Sequence, residues 1–230
     1  KFMRYEGMII RPPSEADSYL LQITLGCSHN KCTFCGTYPD KKFRVRPLDE
    51  ILEDIALAHR HIPTLRSPVG AHTRRVFLCD GDAMLLPNTH LIKVLDALNM
   101  AFPDLQRVGI YTNARDILKK TDDELAELSR RKLTIGYLGL ESGNDEILKR
   151  VKKGATVQDM IDSVRKAQAN GIKMSVIGLI GLGGSEMSKE HAIATAQAVN
   201  QMNPRYFSLL TLMIVPGTPL DDDYEKGRFQ

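Results

Sequence analysis

Short apolar runs alternate along this chain with stretches in which apolar residues return every three or four positions. The runs Tyr19–Leu25, Arg75–Cys79, Arg107–Thr112, Thr134–Leu140, Lys173–Ile180 and Tyr206–Leu212 are rich in Val, Ile, Leu, Phe and Tyr and read as strands. Between them lie five helical patterns. Pro47–Arg60 opens with a proline suited to a first turn and carries Ile51, Leu52, Ile55 and Leu57. Asn88–Ala101 sets Leu91, Ile92, Leu95 and Leu98 on one face. Thr121-Asp-Asp-Glu124 is a capping box for a helix running to about Lys132. Thr156–Asn170 stops at Gly171, and Ser188–Met202 stops before Pro204. The segment from His61 to Thr73, with two prolines and a glycine, reads as a long loop.

Repeated strand-then-helix units predict an α/β fold with parallel strands and right-handed crossovers. Six strands are too few for the eight that close a full barrel, so the expected architecture is an open, partial (β/α)6 barrel of the TIM type. In such folds ligands gather at the C-terminal ends of the strands. The unusual residues fall there: Cys27 after the first strand, Asp80-Gly81-Asp82 after the second and Asn113 after the third. Glu141-Ser142-Gly143 follows the fourth, Gly181–Gly184 the fifth, and Pro216-Gly217-Thr218-Pro219 the sixth. Residues 1–220 then form one domain. Residues 221–230 read as a polar tail without a packing pattern, the expected start of a C-terminal extension.

Composition changes this picture little. With 43% apolar and 26% charged residues the chain belongs with ordinary globular domains, and a net charge of +3 does not point to nucleic acid. No apolar run reaches the roughly 18 residues of a membrane span, and Lys1–Arg11 lacks the apolar centre of a signal peptide. The expected location is the cytoplasm. The scattered methionines read as core filler. Lys41, Lys42, Arg44 and Arg46, with Phe43 among them, read as a solvated loop, with docking of an anionic substrate or an electron donor as the functional alternative.

The cysteines sharpen the chemistry. Cys27, Cys32 and Cys35 fall within nine residues, whereas Cys79 ends an apolar run and reads as a buried small hydrophobe outside any metal site. Three thiolates on one loop suit three corners of a 4Fe–4S cube and leave one iron open. The rival is zinc, which in a structural site takes four closed ligands. His29 is a candidate for the fourth, but it lies between Cys27 and Cys32 and is badly placed to share their metal.

The stretch Ile23-Thr-Leu-Gly-Cys-Ser-His-Asn-Lys-Cys-Thr-Phe-Cys35 resembles the cluster loop of the radical S-adenosylmethionine (SAM) superfamily, with spacers of four and two residues where the family usually has three and two. The likeness extends from about Tyr19 to Pro219. It implies a 4Fe–4S cluster on Cys27, Cys32 and Cys35, and SAM bound across the strand ends. Phe34 matches the aromatic position that faces the adenine. Asp80, Gly81 and Asp82 resemble the motif that receives the methionine amino group. The segment Leu138–Gly154 resembles one shared by coproporphyrinogen dehydrogenases, methylthiotransferases and the cobalamin-binding branch. By that likeness Glu141 and Ser142 contact SAM, and Lys153 stands where an arginine usually meets its carboxylate. Gly178–Gly184 resembles the glycine-rich turn after the fifth strand, which assigns Gly181 and Leu182 to the cofactor. Asn113 is placed to reach the ribose or carboxylate. The activity implied is one-electron reduction of SAM to methionine and a 5′-deoxyadenosyl radical, which attacks an unknown substrate, with a flavodoxin or ferredoxin as electron donor. The rival class is an iron–sulfur electron carrier or sensor without a SAM pocket.

Overall fold

The computed structural model describes residues 4–38, 40–62 and 74–230. Six parallel strands form one open sheet: β1 (Tyr19–Gln22), β4 (Arg75–Cys79), β5 (Arg107–Thr112), β6 (Leu133–Glu141), β7 (Lys173–Ile180) and β8 (Tyr206–Thr211), in that spatial order. β1 and β8 are the two edges, so the barrel is partial, as the strand count predicts. The predicted first strand breaks at Ile23. Its second part, β2 (Thr24–Leu25), leaves the main sheet and pairs antiparallel with β3 (Arg44–Val45). This small ribbon carries the chain out of the sheet and brackets the cysteine loop between its two strands.

The helices are α1 (Leu48–His61), α2 (Asn88–Ala101), α3 (Ala114–Lys119), α4 (Asp122–Arg130), α5 (Asp145–Arg150), α6 (Val157–Ala169), α7 (Ser188–Met202) and α8 (Pro219–Glu225). The five predicted from periodicity are present to within a residue or two. The capping boxes at Thr121 and Thr156 are both formed. Three helices escape periodicity: α3, α5 and α8 have at most seven residues, too few to repeat a pattern. Most of the long loop expected from His61 lies outside the described residues; His61 itself still belongs to α1.

Alternate residues of β4 serve different layers. Val76 and Leu78 face the helices, in one core with Leu91, Leu95, Leu128 and Val164. Phe77 and Cys79 face the inside of the barrel with Ile135 and Tyr137. There Phe77 meets Tyr111 and Tyr137 edge to face, at centroid distances of 4.9 and 5.6 Å. The floor is sealed by Glu15, fully buried, whose carboxylate accepts from Tyr137 Oη at 2.5 Å and Arg107 Nη2 at 2.8 Å.

Three expectations need correction. The tail is not without packing: Thr218 caps α8, Pro219 opens it, Leu220 and Phe229 are buried, and the Ser185 amide donates to the Gln230 carbonyl. The basic residues do not form a free patch. Arg46 is buried against Asp54 at 2.7 Å and donates to the Gln22 carbonyl, and Lys41 reaches Asp80; only Lys42 and Arg44 remain exposed. Met84, Met160, Met174 and Met202 are core residues, but Met8, Met100 and Met213 lie on the surface.

Candidate functional site

The cysteine loop leaves β2 at Gly26 and is tied down at both ends. At its start the Gly26 amide donates to Asp80 Oδ2 at 2.9 Å, and the Gly81 amide donates back to the Gly26 carbonyl at 3.1 Å. At its far end the Thr33 amide donates to the Val151 carbonyl, and the Leu220 amide donates to the Thr33 carbonyl. His29 Nε2 lies 2.6 Å from the Lys152 carbonyl, so its ring is turned to the α5 turn and away from the thiols. All three cysteines are free and half-buried.

Gly81 has a steric reason to be glycine. A Cβ there would stand 2.9 Å from Cys27 Cβ and from Tyr38 Cε2, so any side chain would push Cys27 out of place. Two non-glycine residues hold left-handed backbone at the strand ends around the loop: Asp80 at φ +70° and Glu141 at φ +62°. Such conformations are uncommon and cluster at functional sites. The sequence marks both by their place at strand ends.

Each acid there has a partner. Asp80 is fully buried, and its Oδ2 accepts from Gly26, from Gln22 Nε2 at 3.2 Å and from Lys41 Nζ at 3.4 Å. Asp82 is also fully buried; it accepts from Asn113 Nδ2 at 2.6 Å, from Arg115 Nη2 at 3.1 Å and from the Ser28 hydroxyl. Glu141 Oε1 accepts from Lys153 Nζ at 2.9 Å over bare Gly139, where a Cβ would collide with both groups. Lys153 is therefore not a solvated lysine. Burial pulls its pKa down, but Glu141 and the Cys32 and Cys27 thiols more than offset that, and it ends above its ordinary value. Burial in turn pushes the Cys32 thiol up to about 11, against the pull of Lys153.

Lys153, Gly139, Asn113, Arg115 and His29 line a narrow cleft at the C-terminal ends of β5 and β6. Asn113 faces it but gives its amide to Asp82. Ser142 is brought near yet turned away. It is fully buried; its hydroxyl lies 2.8 Å from His191 Nδ1 and accepts from the Asn144 amide. Because His191 Nε2 meets the Leu179 carbonyl at 3.0 Å, that nitrogen carries the hydrogen, and Ser142 donates to Nδ1. Phe34 packs with Leu182 through Ile147 and Val151, so two residues 148 positions apart line one apolar wall. Gly181, at φ +92°, is exposed at the end of β7. Cys79 stands apart, fully buried, with its thiol directed to the Phe77 carbonyl and held far above its ordinary pKa by burial.

The donor set suits a cluster better than a single ion. Among the described residues no three His, Cys, Asp or Glu side chains converge closely enough to hold one metal ion. Zinc needs its ligands within about 2.0–2.3 Å of one point. A four-iron cube takes each thiolate on a different iron, so its ligands stand further apart. The neighbouring Lys153 ammonium offsets thiolate charge. Sequence reasoning missed Ser28, Arg115, Asp116 and His191. Nothing local marks them, because the partner that brings each into the site, Asp82 for Ser28, Arg115 and Asp116 and Ser142 for His191, is distant in the chain.

An open parallel barrel with a three-thiolate loop and a charged cleft at its strand ends defines an iron–sulfur barrel protein. The family model of the radical SAM superfamily matches residues 21–196, and the chain belongs to that superfamily. Its members use a 4Fe–4S cluster and SAM. Among curated proteins it is 27% identical over 217 residues to tRNA-2-methylthio-N(6)-dimethylallyladenosine synthase of Hahella chejuensis, covering 90% of this chain and 46% of that one. It is 24% identical to biotin synthase of Rickettsia felis, covering 89% and 62%. Two solved structures share the fold. Coproporphyrinogen III oxidase (HemN) from Escherichia coli superposes with a TM-score of 0.62 at 19% identity, over 86% of this chain and 44% of that one. The methyltransferase TsrM from Kitasatospora setae, with tryptophan and a SAM analogue bound, gives 0.68 at 20% identity, over 91% and 38%. The chain thus spans from a third to two thirds of the lengths of the curated relatives it matches first.

Proposed function

We propose that this chain holds a 4Fe–4S cluster on Cys27, Cys32 and Cys35, binds SAM beside it, and cleaves SAM reductively to start radical chemistry on a substrate. The observation that carries the reading is the cleft formed by Lys153, Gly139 and Asn113 next to the cysteine loop. When bound, the cluster supplies one electron to SAM and leaves an iron for its amino and carboxylate groups. The chain's own residues hold and orient. Asp80 and Gly81 fix Cys27, Asp82 and Asn113 set the polar wall, and Phe34 and Leu182 form the apolar wall for the adenine. Lys153 offers its charge to the carboxylate, and Glu141 holds that ammonium in place. Ser142 acts through His191, by pinning the turn after β6, and Gly181 allows close backbone approach.

The electron carrier reading has no use for such a cleft. An external one-electron donor of the flavodoxin or ferredoxin type completes the cycle, with exposed Lys42 and Arg44 near the loop as its contact. No helix among the described residues is long and apolar enough to cross a membrane, and the proposed location is the cytoplasm. The test is anaerobic loading with iron and sulfide, reduction, and detection of methionine and 5′-deoxyadenosine. A fully loaded, reduced protein that neither binds nor cleaves SAM would return the chain to the electron carriers.

A further inference from the structure

Helix α3 turns Asp116 back towards the end of β4. The residue is 2% exposed, and neither carboxylate oxygen has a hydrogen-bond donor. Its nearest cation, Arg115 Nε, stands 3.5 Å from Oδ1. The same guanidinium carries the fully buried carboxylate of Asp82 on Nη2 at 3.1 Å, which sets the two acids side by side. Asp82 already receives Asn113, Arg115 and Ser28, and Arg115 also donates to the Ser28 hydroxyl. Ser28 follows Cys27 directly.

Two carboxylates in contact away from water cannot both stay ionised. One proton between them removes the repulsion and supplies the hydrogen bond that Asp116 lacks. The charges then balance, with one negative charge on the pair and one guanidinium beside it. The surroundings agree. Burial first, and Asp82 second, push Asp116 up to about 7, against Arg115 and Lys119. Lys120, which also feels Asp116, is turned to the Leu86 carbonyl at 2.8 Å and to Asn88 Oδ1 at 2.9 Å. Glu124 of α4 shares with Asp116, Lys119 and Lys120 the lining of one cleft and adds negative charge on that side.

We propose that Asp116 is a positioning residue: it shares a proton with Asp82, and that proton keeps Asp82 aimed at Ser28, Asn113 and Arg115 together. The consequence for cluster loading rests on reading Cys27–Cys35 as the cluster loop; the shared proton does not. In the native protein Asp116 keeps its proton to higher pH than in the unfolded chain. Stability therefore falls as pH rises from the ordinary carboxyl range to neutrality, and is level above it.

The test uses the full chain, first without metal. Infrared difference spectra between about pH 5.5 and about pH 8.5 should show the carbonyl stretch of a protonated carboxyl in the wild type and not in Asp116→Asn. The denaturation midpoint should fall across that interval in the wild type and stay level in Asp116→Asn. After loading, Asp116→Asn, which keeps a donor towards Asp82, should hold nearly the wild-type iron content. Asp116→Ala should lose on the order of tenfold in affinity for the cluster. A band that survives in Asp116→Asn, a wild-type midpoint insensitive to pH, or equal iron in Asp116→Ala and the wild type overturns the proposal. If no variant, wild type included, takes up iron while the band behaves as stated, the cluster reading falls and the shared proton stands.

Discussion

Strand β4 reads Arg75-Val-Phe-Leu-Cys79 and strand β8 reads Tyr206-Phe-Ser-Leu-Leu-Thr211; both are apolar runs that any propensity argument assigns to a sheet. β4 lies between β1 and β5, is covered by helices on one side and aromatic rings on the other, and has four of its five residues buried. β8 is an edge strand with all six residues exposed, Leu209 at 53% and Leu210 at 56%. Apolar pattern thus reports the strand, not its cover. The ends of the two strands differ in the same way. Beyond β4, Asp80, Gly81 and Asp82 bond the cysteine loop through buried acids. Beyond β8, the loop is met by the Leu220 amide, which donates to the Thr33 carbonyl, and by Val215 against Gly36. The covered side of the barrel thus grips the start of the cysteine loop through buried acids, and the exposed side meets its far end through backbone and apolar contacts.

The largest effect that tests this division is loss of the cluster. Cys27→Ala, Cys32→Ala and Cys35→Ala should each abolish the broad absorbance near roughly 400 nm and the iron content after anaerobic loading. Cys79→Ala should keep both, along with SAM-induced changes in the electron paramagnetic resonance spectrum. Loss of the cluster in Cys79→Ala with the fold intact would make β4 itself part of the metal site.

Next comes stability. Leu78→Ala on β4 should cost about 2–5 kcal/mol in denaturant unfolding, through lost burial and a cavity. Asp80→Ala should cost a similar roughly 2–4 kcal/mol, because it leaves the Gly26 amide without its acceptor, removes one of the two acceptors of buried Gln22 and places alanine at a positive φ. If Asp80→Ala unfolds like the wild type but loads no iron, the clamp is purely functional.

A smaller effect belongs to Lys153→Ala. Loss of a largely buried charge contact should weaken SAM binding by about 1.5–3 kcal/mol, measured by titration of the loaded protein, while sparing iron content. Equal affinity in the two proteins would confine Lys153 to its ion pair with Glu141.

The smallest expected effect is on the bare strand: Leu210→Ala should change stability by about 0.5 kcal/mol or less. A cost comparable to that of Leu78→Ala would show that β8 is covered in solution.

The sequence alone shows the six strands of the main sheet, their parallel direction, the five long helices and the three cysteines, but not the β2–β3 ribbon. These follow from periodicity and spacing, which are properties of neighbouring residues. It also marked Asp80 and Glu141 through their place after strands, without revealing their left-handed backbone. Which way each polar group turns depends on contacts between distant parts of the chain. Ser142 faces inward because His191, 49 residues on, is fixed by the Leu179 carbonyl. Lys153 is held by Glu141 because Gly139 leaves room above the strand. Asp116 has no local signature at all: its environment is made by Asp82 and Arg115, which meet only once β4 and β5 pair. Burial, and with it the strength of a charge and the tenure of a proton, is set by residues distant in the chain, and no local pattern encodes them.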